Sequence, residues 1–362
     1  MAYTTIDDPS AYFNTLLYSG NAGTNALTNS ANAGNFQPDW LWIKCRNSAV
    51  SHNAFDTSRQ TSGESTLVIR PNSNDAESNV SGDGMTSIDS NGFTLNGGGS
   101  GGAVNESGKT YVAWQWAANG GTTASNSDGG ISSTVQVNST AGFSIILYTG
   151  SSDGGSTSTS IGHGLGDTPD WILYKRRSGG TRDWMIFHQS TGSKGMILNS
   201  TSAGDTGSSI FGGNNPTSTT IPVGFATETN TNGESHIAYA FAQKQGYSKF
   251  GGYKGNGNAD GPFVYTGFKP AWLMTKRTDS SDHWRIVDNK RETSNDGSMQ
   301  GLKANADESE SDSGSRGLDF LSNGFKVRTT DPDSNANGGT YIYMAFAEHP
   351  FVSSKGVPVT AK

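Results

Sequence analysis

The chain has 362 residues, of which 32% are apolar, and a net charge of −7. This acidic balance disfavours general binding of a phosphate backbone, which requires basic stripes, so we expect no nucleic-acid partner. The lone Cys45 excludes an intrachain disulfide, and we expect it to act as a small buried hydrophobe. The first residues show no signal-peptide pattern and every apolar run is short, so we expect neither secretion nor membrane insertion.

Five features recur in the same order in each third of the chain. A Tyr-x-Gly turn lies at 18–20, 148–150 and 253–255. Pro-x-Trp, followed by an apolar run that ends in lysine, lies at 38–44, 169–175 and 270–276. Next come an apolar segment ending at 56, 188 and 288, a Gly-Phe pair at 92–93, 224–225 and 324–325, and an aromatic run at 111–116, 237–241 and 341–346. The spacing from proline to glycine is nearly constant (38 to 92, 169 to 224, 270 to 324), which indicates three copies of one folded unit.

The apolar runs have the length and composition of β-strands. They are rich in aromatic and β-branched residues and are bounded by Gly, Asn, Asp or Pro. Both alternating sets are apolar in residues 40–43, which indicates a strand buried on both faces or lying between sheets. No helical apolar period persists, so helices should be few and short. We predict an all-β chain of three tandem antiparallel β-sandwich domains, lectin-like or jelly-roll-like.

The copies predict sandwich domains at 1–118, 131–244 and 245–362. Residues 119–130, rich in Gly, Ser, Asn and Thr, are predicted to form a flexible linker. Only residues 243–247 join the second and third copies. We therefore expect those two to pack as a fixed pair while the first can swing, so that a well-ordered first domain would need contacts from another chain.

Trp184 and Trp284 occupy equivalent positions beside polar loops. Sugar-binding proteins often stack a pyranose on an exposed indole, and Arg182 lies close enough in sequence to bind hydroxyls. These three residues are the candidate ligand-binding residues. An aromatic residue that recurs with the strand pattern is also typical of core packing, and we favour that interpretation.

Two loops, 256–261 and 333–338, follow the first half of a calcium-loop pattern. The twelfth position, which should be glutamate, is Gly267 in one and Met344 in the other. Turn chemistry explains the same Asn, Asp and Gly residues. We expect no cofactor and keep calcium as the alternative.

Nothing in the repeats nominates a catalytic centre. The six histidines are scattered, and none has the spacing of a metal site. The equivalent positions hold Asp56, His188 and Asp288, so the copies share no catalytic acid. We expect no enzyme activity and no metal site.

Several longer strings carry a resemblance to a known group of proteins. They lie at 12–21, 36–44, 142–150, 162–166, 246–251, 288–291 and 345–352. All three copies resemble a repeat found in virion proteins of marine tailed bacteriophages, an uncharacterised domain family. One departure is Gln60, where related sequences tend to have glycine, and it concerns only the local turn.

The resemblance implies a structural protein on the virion surface, assembled in the host cytoplasm. It implies a tail-fibre or adhesin-type protein for host recognition, with other virion proteins and a host cell-surface glycan as partners. Because phage fibres are commonly trimeric, it also implies a homo-oligomer. The alternative is a head-fibre or capsid decoration protein that binds the capsid lattice. A glycan-degrading tail enzyme is a weaker alternative, since it would need a carboxylate pair that the repeats do not provide.

Overall fold

The regular structure is almost entirely antiparallel β-sheet. The computed structural model describes residues 4–29, 35–60, 67–80, 84–97, 104–153, 157–204, 209–291, 295, 300–312 and 317–359. Within these residues the helices are one 3-10 turn, Pro9–Ala11, and one α-helical turn, α1, Pro332–Asn335. Both are far too short to cross a membrane. The prediction of an all-β fold with few, short helices is confirmed.

The first copy contains nine strands. They are β1 Phe13–Ser19, β2 Asn25–Thr28, β3 Trp40–Cys45, β4 Asn53–Asp56, β5 Leu67–Val68, β6 Ser78–Asn79, β7 Gly84–Asp89, β8 Gly92–Asn96 and β9 Thr110–Trp116. A large sheet has the order β1-β9-β3-β4, a small sheet has the order β2-β8-β7, and β5 pairs with β6.

The second copy has one strand from the preceding segment at its edge. Its strands are β10 Ala124–Asn126, β11 Ser133–Asn138, β12 Phe143–Thr149, β13 Thr159–Gly162, β14 Trp171–Arg176, β15 Met185–His188, β16 Gly192–Ile197, β17 Thr220–Val223 and β18 Ser235–Phe241. The large sheet has the order β10-β11-β12-β18-β14-β15-β16, and β13 pairs with β17.

The third copy again combines a large and a small sheet. Its strands are β19 Ser248–Lys254, β20 Phe263–Tyr265, β21 Phe268–Arg277, β22 Arg285–Asp288, β23 Gln300–Lys303, β24 Ser311–Asp312, β25 Leu318–Leu321, β26 Gly324–Val327 and β27 Thr340–Pro350. The large sheet has the order β19-β27-β21-β22-β23-β24, and the small sheet has the order β20-β26-β25.

The three large sheets share one central arrangement. In each, the strand that closes the copy lies between the opening strand and the Pro-x-Trp strand: β1-β9-β3-β4, β12-β18-β14-β15 and β19-β27-β21-β22. The register also agrees, because Trp40, Trp171 and Trp272 pair with Trp116, Phe241 and Phe346. The repeated sequence therefore encodes a repeated sheet.

Each large sheet buries both of its faces. In β3, Leu41 and Ile43 pack into a cluster within the first copy, which also contains Cys45. Trp40 and Trp42 point the other way, into a cluster built from all three copies. The predictions of a doubly buried strand and of a buried Cys45 are thus confirmed.

We call the shared cluster the central core. It contains all eight tryptophans of the chain, each at most 1% exposed, at 40, 42, 114, 116, 171, 184, 272 and 284. Equivalent tryptophans contact the opening strand of the next copy. The ring centroids are 6.0 Å apart for Trp40 and Phe143, 6.4 Å for Trp171 and Phe250, and 6.5 Å for Trp272 and Phe13. The third copy therefore contacts the first in the same way as the first contacts the second.

Residues 119–130 differ from the predicted flexible linker. They contain β10, which pairs with β11 at the edge of the second copy. Around their start, the amides of Ala118, Gly120 and Gly121 donate to the Asp39 carboxylate over 2.7, 3.0 and 3.0 Å. A Gly-rich composition signals flexibility only when its backbone amides lack a partner. The first copy therefore makes contacts within the chain that the expectation of a freely swinging domain did not include; the exact domain boundaries stay a prediction.

Candidate functional site

The recurring Tyr-x-Gly turn is a structural device. The hydroxyls of Tyr18, Tyr148 and Tyr253 each donate to a carbonyl just before the closing strand of the same copy, over 2.7 to 2.9 Å. The glycine that follows lies against the same loop, where a Cβ at Gly20 would overlap the Glu106 carbonyl oxygen. The motif thus fixes the position of the closing strand, and its tyrosine hydroxyls are used in this contact.

Trp184 and Trp284 lie inside the protein. Both are fully buried, so neither offers the exposed indole that sugar stacking requires. The Nε1 of Trp184 donates to the Arg70 carbonyl of the first copy over 2.9 Å, and that of Trp284 donates to the Ile197 carbonyl of the second copy over 2.9 Å. The core-packing interpretation is correct for both residues, because each indole joins two copies.

Arg182, the third candidate, is half-buried at the joint between the first and second copies. Its guanidinium Nε donates to Thr227 Oγ1 over 3.0 Å, and its backbone amide donates to the Asn74 carbonyl over 2.8 Å. The structure therefore does not bring Arg182, Trp184 and Trp284 together into one open site.

His52 makes the equivalent joint between the first and third copies. Trp42 Nε1 lies 2.8 Å from His52 Nδ1, and His52 Nε2 lies 3.0 Å from the carbonyl oxygen of Lys303. With Nδ1 accepting from the indole, Nε2 carries the proton and donates to Lys303. Burial lowers the pKa of His52 well below its ordinary value, which agrees with this neutral form.

These contacts close a ring. The second copy donates to the first, the third donates to the second, and the first donates to the third. The accepting carbonyls lie at similar places: that of Arg70 is two residues after β5, and those of Ile197 and Lys303 are at the ends of β16 and β23. A cyclic order of equivalent contacts requires the three copies to surround a common, approximately threefold axis.

Three buried lysines repeat the same cyclic order. The Nζ atoms of Lys44, Lys175 and Lys276 donate to the carbonyls of Asp307, Asn74 and Thr201 in the neighbouring copy, over 3.1, 3.0 and 3.0 Å. Each Nζ also donates to a carbonyl of its own copy. Burial lowers the pKa of all three to about 8. The lysine that ends the Pro-x-Trp motif is thus a cross-copy contact.

The joint between the first and second copies contains a buried ionic network. Asp56 pairs with Arg59 and accepts the Tyr239 hydroxyl of the second copy over 2.6 Å. Arg59 also contacts Glu77 over 2.9 Å, and Glu77 pairs with Arg177 of the second copy over 2.8 Å. Burial acts to raise the pKa of Glu77, but the two guanidiniums outweigh it and the pKa lies below its ordinary value.

The joint between the third and first copies repeats this network. Asp288 pairs with Arg291 over 2.6 Å and accepts Trp114 Nε1 of the first copy over 3.0 Å. Arg291 also contacts Glu310 over 3.1 Å, and Glu310 pairs with Arg46 of the first copy over 2.8 Å.

In the described part of the chain, the joint between the second and third copies does not contain the equivalent groups. His188 stands where the others have aspartate, and the register places Met344 where they have Trp114 and Tyr239. The Nδ1 of His188 accepts the Ser190 amide over 3.0 Å, and burial lowers its pKa to about 3. Asp56 and Asp288 thus lie in the ionic networks of two joints, and His188 takes the equivalent position without an arginine partner within the described ranges.

The two calcium-like loops bind each other. The side-chain nitrogen Nδ2 of Asn335 donates to Asn256 Oδ1 over 3.1 Å and to the Asn258 backbone carbonyl over 2.7 Å. Asn256 Oδ1 also accepts the Asn258 amide over 3.0 Å, and Asp333 pairs with Arg285. The side-chain oxygens serve turns and an ion pair, as turn chemistry predicts. Among the described residues, no three His, Cys, Asp or Glu side chains converge as metal ligands would.

A groove of about 270 Å³ lies on the second copy's large sheet. Its lining is mostly hydroxyl-bearing and includes Ser133, Thr149, Arg177 and Ser235. The groove is small compared with typical ligand pockets. Arg177, the cation in its lining, is already engaged by Glu77 of the first copy in a bidentate contact.

A different surface stands out on the outer face of the third copy's small sheet. Phe263 and Tyr265, on the edge strand β20, are 46% and 52% exposed. Beside them lie two ion pairs: Lys326 Nζ is 2.7 Å from Asp260 Oδ1, and Arg328 Nε is 2.7 Å from Asp319 Oδ2. We call these six residues the β20 face.

The aromatic residues of this face do not recur in the first copy. Tyr265 pairs with Gly324 and Phe263 with Lys326, whereas in the first copy Thr28 pairs with Gly92 and Ala26 with Thr94. Ala26 and Thr28 therefore occupy the positions of Phe263 and Tyr265. The β20 face could not be predicted from recurring aromatic residues; its sequence signal is a pair of aromatic residues that the first copy lacks.

One family model spans all three copies. The model described as "Domain of unknown function (DUF7483)" matches residues 8–350. The chain belongs to this family. A single match across 8–350 agrees with a unit made of three copies around one core. No curated protein and no solved structure matches the chain.

Proposed function

We propose that this chain is a structural protein of a bacteriophage virion surface, of the tail-fibre or adhesin type, that contacts the host envelope. The observation that carries the proposal is that the aromatic residues fall into a buried set and an exposed set. All eight tryptophans lie in the central core, and Phe263 and Tyr265 lie on one exposed face. A rigid three-copy ring that presents one distinctive surface suits recognition.

The recurring polar residues support a non-catalytic role. Their side chains form the joints between copies: the lysines bind neighbouring carbonyls, and Asp56 and Asp288 bind arginines and a donor of another copy. None of them lies in an open cleft with a second carboxylate, as hydrolysis of a glycan would require. Cofactor chemistry forms no part of the proposal.

The resemblance to virion repeats supports the location. Other virion proteins would then hold the chain on the particle, and further chains would give a homo-oligomer. Within one chain, three copies already provide the threefold arrangement that fibres commonly build from three chains.

The first test is binding of purified protein to host cells. We expect saturable binding to host cells and competition with infection, with a non-host strain as the matched control. Failure of both binding and competition would reject the adhesin role.

A capsid decoration protein is the second candidate, and the cyclic arrangement favours it. Three equivalent copies around one axis would match a threefold position of a capsid lattice. Antibody-gold labelling of intact virions separates the two. Label at the tail end supports the adhesin role, whereas label over the head, with stoichiometric binding to purified heads, supports decoration.

A further inference from the structure

The β20 face combines two exposed rings with charged groups on one side of a thin sheet. Side chains alternate across the small sheet: Val264, Phe325 and Val327 face inward and are at most 7% exposed. Phe263 and Tyr265 face outward, and residues two apart on a strand are about 7 Å apart. The two side chains therefore lie on the same outer face of the strand, one strand repeat apart.

Each of the two rings lies next to a glycine backbone. Gly324 lies opposite Tyr265, and a Cβ there would overlap the Val264 carbonyl oxygen, so the position requires glycine. The same Cβ would lie 3.2 Å from Phe263 Cε2, which places the Phe263 ring over this glycine. The Tyr265 ring likewise lies against Gly267, where an added Cβ would be 3.5 Å from the Tyr265 hydroxyl oxygen.

The polar half of the face supplies donors and acceptors of both signs. Lys326 and Arg328 balance Asp260 and Asp319, so the face has no net charge. Asp260 is 77% and Arg328 44% exposed at their side chains. Such a face suits a ligand with many hydroxyls and no net charge, since an anion or a cation would be opposed by one member of each pair.

A protein partner fits less well. Two exposed rings and two ion pairs cover much less than the roughly 1,000 Å² that a stable protein interface needs. Addition of a strand is also disfavoured, because β20 has three residues and Pro262 before it lacks an amide donor.

We infer that the β20 face is a binding site for a neutral saccharide chain, whose sugar rings stack on Phe263 and Tyr265 while their hydroxyls bind Lys326, Arg328 and Asp260. This inference rests on the proposed role in host recognition and names its ligand class. Aromatic faces attract the polarised C–H groups of a pyranose, and a Tyr hydroxyl adds a polar contact at the ring edge. Because the first copy has Ala26 and Thr28 at these positions, it lacks the two rings that would stack sugar units.

The test is calorimetric titration of the full chain with neutral hexasaccharides of glucose and mannose, with an alginate hexamer as the anionic probe. We expect at least one neutral hexamer to bind and alginate to bind more weakly. F263A and Y265A should each weaken binding by about tenfold, because each removes one stacking ring. F263Y should retain binding. Val357→Ala, at an exposed apolar residue outside the face, is the matched control and should bind as the parent does.

Four results would overturn the inference. They are no binding of any neutral hexamer, unchanged binding by the F263A/Y265A double variant, tighter binding of alginate, or sedimentation showing a dimer of the parent that the double variant abolishes. The last result would make the face an interface between chains. Thermal unfolding of each variant excludes loss of fold as a cause. Gold labelling of virions is independent of these results, so failure of the saccharide site would leave the proposed function standing.

Discussion

Replacement of single tryptophans by phenylalanine measures the ring of cross-copy hydrogen bonds. In the third copy, Trp284 and Trp272 are both fully buried in the central core. Trp284 Nε1 donates to the Ile197 carbonyl of the second copy over 2.9 Å. Trp272 Nε1 is buried without a partner among the described residues. The pair therefore differs in the hydrogen bond while sharing the side chain, the burial and the change in volume.

The expected difference follows from these contacts. Both W284F and W272F remove the same atoms and leave a similar void, so the cavity cost largely cancels in the comparison. W284F additionally loses a buried hydrogen bond, whereas W272F removes an unpaired buried donor. Both effects act in the same direction, and together they should make W284F more destabilising than W272F by about 1–3 kcal/mol.

Urea unfolding followed by circular dichroism gives the free energies of unfolding, provided that the slopes agree between variants. The second copy offers an independent pair, because Trp184 Nε1 binds the Arg70 carbonyl and Trp171 Nε1 has no partner among the described residues. W184F should likewise exceed W171F. Equal costs within both pairs, or a larger cost for W272F and W171F, would refute the ring of indole contacts.

Three further predictions test the joints. D56N should lower the free energy of unfolding by about 3–5 kcal/mol, because it removes the charged partner of the buried Arg59. The control is D153N at an exposed aspartate, which should leave the stability in urea almost unchanged. Equal effects of the two substitutions would contradict the ionic network. Stability should fall in acid, because burial lowers the pKa of His52, His163, His188, His236 and His283, so below pH 6.5 the unfolded chain binds protons that the folded chain does not. His188 alone should account for about 2–3 kcal/mol of the loss between pH 6.5 and 4.5, so H188Q should make the urea stability fall less steeply with pH; an unchanged slope would count against this reasoning. The isolated segment 1–118 should be aggregation-prone while the full chain unfolds in one transition, because separation exposes four core tryptophans; a soluble, well-folded segment would show an independent domain.

Much of the local structure could be predicted from the sequence. The constant spacing of the repeats and the two apolar faces of residues 40–43 indicated the sheets and the buried strand, and both agree with the structure. The joints could not be predicted in the same way. The carbonyl that accepts from Trp184 lies 114 residues away, and a carbonyl carries no sequence signal. Residues 119–130 read as flexible because composition does not show that Asp39 holds the preceding amides.

Three self-contained two-layer sandwiches would not account for the apolar pattern of the large sheets. A two-layer sandwich covers one face of each sheet, yet the Pro-x-Trp strands of all three copies are apolar on both faces. The uncovered faces would leave four tryptophans of the first copy in water. Only 32% of the residues are apolar, which leaves few for an additional layer within each copy that would cover these sheet faces. The copies must therefore cover one another, and three equivalent faces do so most completely around a single axis. Phe263 and Tyr265 do not recur in the first copy and are exposed, which agrees with the proposed role of the β20 face as a surface for recognition.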